Sequence, residues 1–278
     1  MWACTGEEEG FGKSSSTPRS EFKQVSSGAW HTCGVLLTGY LECWGSDGYE
    51  QTRAPSGAYW KIASGGYHTC ALTPGGEAEC WGLDADGQAT APTDYSFTEI
   101  TAGSRHSCAR TTDGETVCWG ADDWEQADVP DNDFINVAAG FQHTCGALVN
   151  DPPVCWGNDD YGQSTPTDNS FAEVSSGLFH SCGQTSGGAV SCWGLNIDGQ
   201  TEVPEIDFED VVAGGFHSCG ITEPGEVSCW GMDDDGQATV PEGIYLQVST
   251  GLLHTCAVDN DSHAVCWGSD TYGQSDPP

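Results

Sequence analysis

Residues 64–92 read SGGYHTCALTPGGEAECWGLDADGQATAP. The central CALTPGGEAEC forms a predicted β-hairpin, because Cys70 and Cys80 are symmetric about a turn at Pro74 to Gly76. In an antiparallel ladder such residues face each other directly, within reach of a disulfide. His68, Cys70 and Cys80 are also zinc-type ligands, so a metal site competes with a disulfide and with a reduced, buried pair. Alternation along the strands sets Cys70 and Leu72 on one face and Ala71 on the other, while Cys80 and Trp81 point opposite ways. Both faces therefore carry side chains suited to burial, as in a small sheet stacked between two copies of itself.

The copies are in the chain. Fourteen of the fifteen cysteines fall into seven pairs ten residues apart, namely Cys33/Cys43, Cys70/Cys80, Cys108/Cys118, Cys145/Cys155, Cys182/Cys192, Cys219/Cys229 and Cys256/Cys266. The first members advance in steps of 37 or 38 residues, the signature of a repeat architecture. Each unit opens on an aromatic (Phe22, Tyr59, Phe97, Phe134, Phe171, Phe208, Tyr245), continues through Gly-x-x-His-[Ser/Thr]-Cys to Cys-Trp-Gly, and carries a glutamine seven residues past that tryptophan. Three short strands per unit are expected, with no helical periodicity between them.

Composition sets outer limits. Forty-two acidic against seven basic residues give a formal charge of −35, which leaves no basic surface for phosphates, so nucleic acid is excluded as an expected partner. No run approaches the roughly 18 apolar residues of a membrane-crossing helix.

The pattern Gly-x-x-His-[Ser/Thr]-Cys-x-[Leu/Val] followed by Cys-Trp-Gly-x-[Asp/Asn]-x-x-Gly-Gln resembles repeats of the regulator of chromosome condensation superfamily, over residues 22–274. The unit length is most similar to that of the cysteine-bearing, compact-bladed bacterial members, the β-lactamase-inhibiting propeller among them. The resemblance implies an all-β, seven-bladed β-propeller. It further implies a clasp in which the first strand, Phe22 to Val25, completes the last blade. Glu50 and Glu125 replace the glycine before the glutamine in the first and third units, so those turns are expected to differ.

Seven metals with no evident fourth ligand are a poor reading of the histidine and cysteine sets, and an exported chain would oxidise the pairs, so seven structural disulfides are expected and no metal or other cofactor. Asp84, Asp86, Asp233 and Asp235 resemble part of a calcium loop, but an Asp or Asn recurs at the same place in every unit, which favours turn capping. No nucleophile with a base stands out, and His263, outside the repeat frame, reads as a surface residue; no catalysis is expected. Residues 1–20 read as a tether before a propeller over 21–278. The unpaired Cys4 resembles the acylated cysteine of a bacterial lipoprotein, which would make a lipid anchor the chain's one link to a membrane. A monomer is expected, extracellular or periplasmic, with anchoring to an outer membrane through Cys4. The two residues between glycine and histidine vary between units and include large apolar groups. Equivalent positions must emerge at one end of the ring, so Trp30, Tyr67, Arg105, Phe141, Phe179, Phe216 and Leu253 form a candidate rim for a protein ligand. Filling of the channel mouth, an envelope-coat role and carbohydrate binding are the competing readings.

Overall fold

The computed structural model describes residues 19–278. It contains seven three-stranded antiparallel sheets, each built from consecutive strands in chain order, and these are the blades of a closed seven-bladed propeller. In the second blade the inner strand is Lys61–Ser64, the middle strand His68–Leu72 and the outer strand Ala78–Gly82. The inner strands line the axial channel through Ser27, Ser64, Ala102, Ala139, Ser176, Ala213 and Thr250. The expected tether and Cys4 lie outside the described residues.

Each cysteine pair sits directly opposed across the middle and outer strands, as Cys70 does with Cys80. All seven pairs are disulfide-bonded, Cys33 to Cys43, Cys70 to Cys80, Cys108 to Cys118, Cys145 to Cys155, Cys182 to Cys192, Cys219 to Cys229 and Cys256 to Cys266, with Cα atoms 4.0 to 4.1 Å apart. The two halves of each bridge differ in environment, although the spacing treats them alike. The middle-strand cysteines are at most 1% exposed. Their partners Cys43, Cys80, Cys118, Cys155, Cys192, Cys229 and Cys266 are only half-buried. The reason is position: the outer strand pairs on one side alone and forms the edge of its blade, whereas the middle strand is flanked on both sides. Closing so short a loop stabilises by roughly 2 to 3 kcal/mol in the chain-entropy model. The metal reading of His68 falls with this geometry, because its Nε2 meets the Ser107 hydroxyl of the next blade at 2.8 Å rather than a sulfur. Among the described residues no group of three or more His, Cys, Asp or Glu side chains is placed to hold a metal ion.

The hydrophobic core is divided into seven pieces, one at each junction between blades. Between the second and third blades, Cys70 and Leu72 pack on Phe97, Ile100 and Trp119. On its other face the second blade sets Tyr59, Ile62, Ala71 and Trp81 against Cys33 and Val35 of the first. This is the two-sided burial that alternation along the hairpin implies. The aromatic opening each unit is at most 3% exposed. Each such ring contributes roughly 2 to 3 kcal/mol by its removal from water.

One backbone oxygen per blade joins these pieces. The Gln51 carbonyl accepts Trp81 Nε1–H at 2.8 Å and the Thr69 hydroxyl at 3.4 Å, both from the next blade. Gln88 does the same for Trp119 at 3.0 Å and Ser107 at 3.1 Å. The pattern recurs at every junction, so the repeated tryptophan, the hydroxyl after the histidine and the glutamine are three parts of one contact. Each hydroxyl also meets the histidine of the preceding blade, at 2.7 to 2.8 Å in all seven cases. A hydroxyl has one proton, and here it goes to the glutamine carbonyl. The histidine must then donate from Nε2, leaving its fully buried Nδ1 without a partner. Burial pushes these rings down to about 3 or 4, so they are neutral at physiological pH.

The glutamine reaches the next blade because the Cys-Trp-Gly glycine there has no side chain. A Cβ on Gly82, whose φ is +101°, would lie 2.6 Å from the Tyr67 carbonyl oxygen and 3.2 Å from Gln51 Cβ. The glutamine also closes its own loop, as Gln88 Oε1 accepts the Asp86 N–H at 2.9 Å. Asp84 accepts the Ala89 N–H at 2.8 Å and the Thr90 hydroxyl at 2.7 Å. The repeated aspartate is thus a turn cap. The residue before the glutamine is left-handed in every blade: Gly87 has φ +82°, and Glu50 and Glu125 have φ +65° and +62°. The turns expected to differ do not, because the loop's hydrogen bonds hold a non-glycine residue in the same conformation.

Closure differs from the expected clasp. The strand Phe22–Ser27 pairs with His31–Leu36 of its own blade and not with the last one. The seventh junction instead repeats the other six. Gln247 Oε1 accepts the Val25 N–H at 3.0 Å, as Gln24 Oε1 accepts that of Ile62 at 3.2 Å. The Gln274 carbonyl accepts Trp44 Nε1–H at 2.9 Å and the Thr32 hydroxyl at 3.2 Å. A sheet that already has its first strand in frame leaves no vacancy for an exchanged one, and the loop after the last strand shares the fastening with Gln247, Ser249 and His254 of the last blade.

Two outcomes follow from this geometry. A chain ending at Gly268 loses the two hydrogen bonds to the Gln274 carbonyl and should be less stable by about 2 to 3 kcal/mol in denaturant titration, since each buried bond is worth about 1 kcal/mol and a stranded donor costs more, whereas removal of Pro277 and Pro278 should change nothing; equal stability of the two would refute a closing role for Gln274. Glu125→Gly relieves a left-handed glutamate and should raise stability by about 1 kcal/mol, measured the same way, and a loss would show that the turn is not strained.

Candidate functional site: an aromatic ring at one end of the propeller

The Gly-x-x-His turns and the Asp-to-Gln loops both lie at the end of the ring where the inner strands finish. The turns sit close to the axis because successive blades are tied there by main-chain hydrogen bonds. Ala29 N–H donates to the Gly65 carbonyl at 3.2 Å and Gly66 N–H to that of Gly103 at 3.1 Å. A side chain on Gly65 would collide with the Gly103 carbonyl oxygen, which is why each turn begins with glycine.

The two variable positions of each turn diverge. The first faces the axis and, with glycines, surrounds an axial cavity of about 210 Å³, bounded by Ala29, Gly66, Ser104, Phe141, Leu178, Gly215 and Leu252, with Trp30 and Tyr67 reaching its edge. The second points outward onto the loop of the preceding blade. The candidate rim therefore separates into two rows. Phe141 belongs to the channel mouth, while Trp30, Tyr67, Arg105, Phe179, Phe216 and Leu253 occupy the outer row. All except the exposed Arg105 are half-buried.

The outer row is met by residues that sequence reasoning missed, those two before each glutamine. Trp30 packs edge-on against Tyr272 with ring centroids 5.5 Å apart, Tyr67 against Tyr49 at 5.3 Å, and Phe179 against Tyr161 at 5.2 Å. Phe179 also touches Phe141 at 5.5 Å and Phe216 at 6.2 Å, which links the two rows. In the third blade the same pairing is ionic, with Arg105 Nη2 2.6 Å from Asp86 Oδ2. Tyr49, Trp124, Tyr161 and Tyr272 are 50%, 44%, 52% and 53% exposed, so the loop aromatics present a broad area to solvent, the three tyrosines held by their inner partners. The signal was legible: the position two before the glutamine is aromatic in four units of seven.

Among the described residues no catalytic constellation accompanies this ring. The seven repeat histidines are buried in the junctions. His263 lies in the last hairpin at the opposite end, with its N–H donated to Asp259 at 2.8 Å.

Comparison with known structures agrees on the architecture. The CRINKLY WD40 ectodomain of the Arabidopsis thaliana receptor kinase ACR4 is similar with a TM-score of 0.75 and 23% identity, over 91% of this chain and 98% of that one. The entire ectodomain of the Physcomitrella patens receptor kinase CR4 gives 0.77 and 24%, over 90% and 74%. Prp20p from Saccharomyces cerevisiae gives 0.74 and 16%, over 93% and 85%. No curated protein matches the sequence. The family model for the regulator of chromosome condensation (RCC1) repeat matches residues 22–51, 61–88, 97–123, 171–200, 208–237 and 246–274. The fourth unit lies outside the match, yet its strands pair as the others do, around a hairpin that carries Pro152 and Pro153. With six of its seven blades matched, the chain belongs to the RCC1 repeat family.

Proposed function

We propose that the chain is a non-catalytic interaction module that binds a protein partner through the aromatic end of the propeller. The observation that carries this reading is the set of half-exposed loop aromatics, of which Tyr49, Tyr161 and Tyr272 are braced edge-on by a turn residue, on a rigid ring. Anchors of this type dominate interface energetics, and pre-positioned rings lose little entropy on binding. Relatives by fold support the class of role: the yeast Prp20p structure is described with its binding to Gsp1p and histones, and two plant relatives are receptor-kinase ectodomains. The compact β-lactamase-inhibiting propeller that the repeat motifs resemble supports an inhibitor-like role for the same face. Seven disulfides suit an oxidising, extracellular or periplasmic location. Attachment through an acylated Cys4 on a tether of residues 1–20, and a monomeric state, complete the proposal. Nucleic acid is a poor partner for a chain of charge −35.

Replacing Tyr49, Trp124, Tyr161 and Tyr272 together with alanine should abolish retention of a partner from the source's extracellular fraction while the melting temperature shifts by only a few degrees, because exposed substitutions usually cost about 0.5 kcal/mol each. Single Trp30→Ala, Tyr67→Ala, Phe179→Ala and Phe216→Ala variants should each weaken retention. A partner held equally by the wild type and the fourfold variant would move the binding site elsewhere on the ring.

A further inference from the structure

The axial cavity is distinct in kind from the aromatic rows around it. Its walls are glycine Cα atoms and small side chains, with Trp30, Tyr67, Phe141, Leu178 and Leu252 toward the mouth, and most of the main-chain groups that ring it are occupied with one another, as Ser104 N–H is with the Gly140 carbonyl at 3.1 Å and Leu178 N–H with that of Gly214 at 3.2 Å. The Ser64 hydroxyl on this wall has no partner, but the lining is otherwise mainly apolar, and an apolar cavity of about 150 Å³ is known to take benzene. The volume of about 210 Å³ is therefore enough for one aromatic or branched aliphatic side chain. Entry is lopsided. Phe141, Leu178 and Leu252 crowd the mouth on blades four, five and seven, with Leu252 also overlying Gly215 of blade six, whereas Ala29, Gly66 and Ser104 leave it open on blades one to three, beside Trp30 and Tyr67.

The charge around the mouth selects what can bring such a group in. Among the described residues this end has two cations, and both are already paired: Arg53 with Asp47 and Glu50, and Arg105 with Asp86 and Asp123. The carboxylates of Asp84, Asp122, Asp159, Asp160 and Asp234 in the same loops have no cationic partner. An approaching acidic segment meets a uniform repulsive field, and a basic one is drawn in.

We infer that the axial cavity is a pocket for a single aromatic or branched aliphatic side chain carried on a cationic segment of the partner, entering over Ala29 and Ser104. This rests on the proposed binding face and names what that face recognises. The pocket supplies selectivity for the anchor, the carboxylates set the sign of its flanks, and Trp30 and Tyr67 border the path.

The test uses labelled peptides in fluorescence anisotropy with the full chain at about 0.15 M salt, where long-range attraction is largely screened. Lys-Lys-Trp-Lys-Lys should bind at least tenfold more tightly than Lys-Lys-Ala-Lys-Lys and than Glu-Glu-Trp-Glu-Glu. Ser104→Phe and Ala29→Leu fill the mouth with side chains that the equivalent positions Phe141 and Leu178 already accommodate. Each should keep the melting temperature and lower affinity for the tryptophan peptide at least tenfold, with no effect on the alanine peptide. Equal binding of the two lysine peptides, or an unchanged affinity in the filled variants, overturns the pocket. The natural partner separates this from the broader reading. If it is lost from the fourfold aromatic variant but bound normally by Ser104→Phe, the face stands and the pocket falls; if it is bound normally by both, both fall.

Discussion

Everything in this ring hangs on a carbonyl oxygen that accepts two hydrogen bonds from the neighbouring blade. The glutamine that carries it is almost fully buried, its side chain closes its own loop, and its carbonyl receives an indole N–H and a hydroxyl from across the junction. The hydroxyl is shared with a buried histidine, so one contact fixes a rotamer on each of three side chains and a backbone position on a fourth residue. Charge-free hydrogen bonds of this sort are individually worth about 1 kcal/mol, but leaving any one of these buried groups unpaired costs more than the bond itself contributes. Seven repetitions make the ring a structure whose blades cannot slide against one another without stranding several polar groups together.

That constraint separates scaffold from surface. The residues repeated in every unit are spent on the junction, the turn cap, the disulfide and the tight glycine approaches. Among the positions left free to differ are those of the Gly-x-x-His turn and the loop position two before the glutamine, and these two sets meet at one end. The aromatic face is a consequence of where the scaffold leaves room. Its rigidity is inherited from the same source, since Trp30 directly follows Ala29, whose N–H is tied to the Gly65 carbonyl of the next blade, and Tyr49 is tied to Gln51 through its own N–H at 2.8 Å.

Much of this could be read from the chain. The spacing of Cys70 and Cys80 gave hairpin and disulfide together, because a turn midway between two residues makes them cross-strand partners. The unequal burial of the two sulfurs was not legible, since the hairpin alone does not say which of its strands becomes the edge of the blade. Two-sided alternation around Ala71 and Trp81 pointed to stacked sheets. Ring closure was equally hidden, because an in-frame repeat and one shifted by a strand have the same sequence, and only the pairing of Phe22–Ser27 with its own blade distinguishes them. So was the role of the histidines. Their partner is a hydroxyl some 38 residues away, and nothing local to His31 names Thr69. The rim was half legible: one row was found by its variation between units, while Tyr49, Trp124, Tyr161 and Tyr272 sat in a loop read only for its aspartates. Phe141 was grouped with the outer row because adjacency in sequence does not reveal that neighbouring side chains face opposite ways.

The junction assigns one proton arrangement to all seven histidines, and long-range proton–nitrogen correlation NMR of the imidazole rings reads it directly as a function of pH. The account predicts seven neutral rings protonated on Nε2 that stay neutral as the pH is lowered from 7 to about 5, with folded-state values near 3 to 4. Since unfolded histidine takes up its proton near pH 6.5, the unfolded chain binds more protons below that point. The rings' stabilising contribution is therefore full above pH 6.5 and declines as the pH falls toward the folded-state values, so the protein should unfold in acid before the rings titrate in place. Rings protonated on Nδ1, or seven rings titrating near pH 6.5 in the folded protein, would contradict the shared-hydroxyl junction and with it the account of how the blades are held.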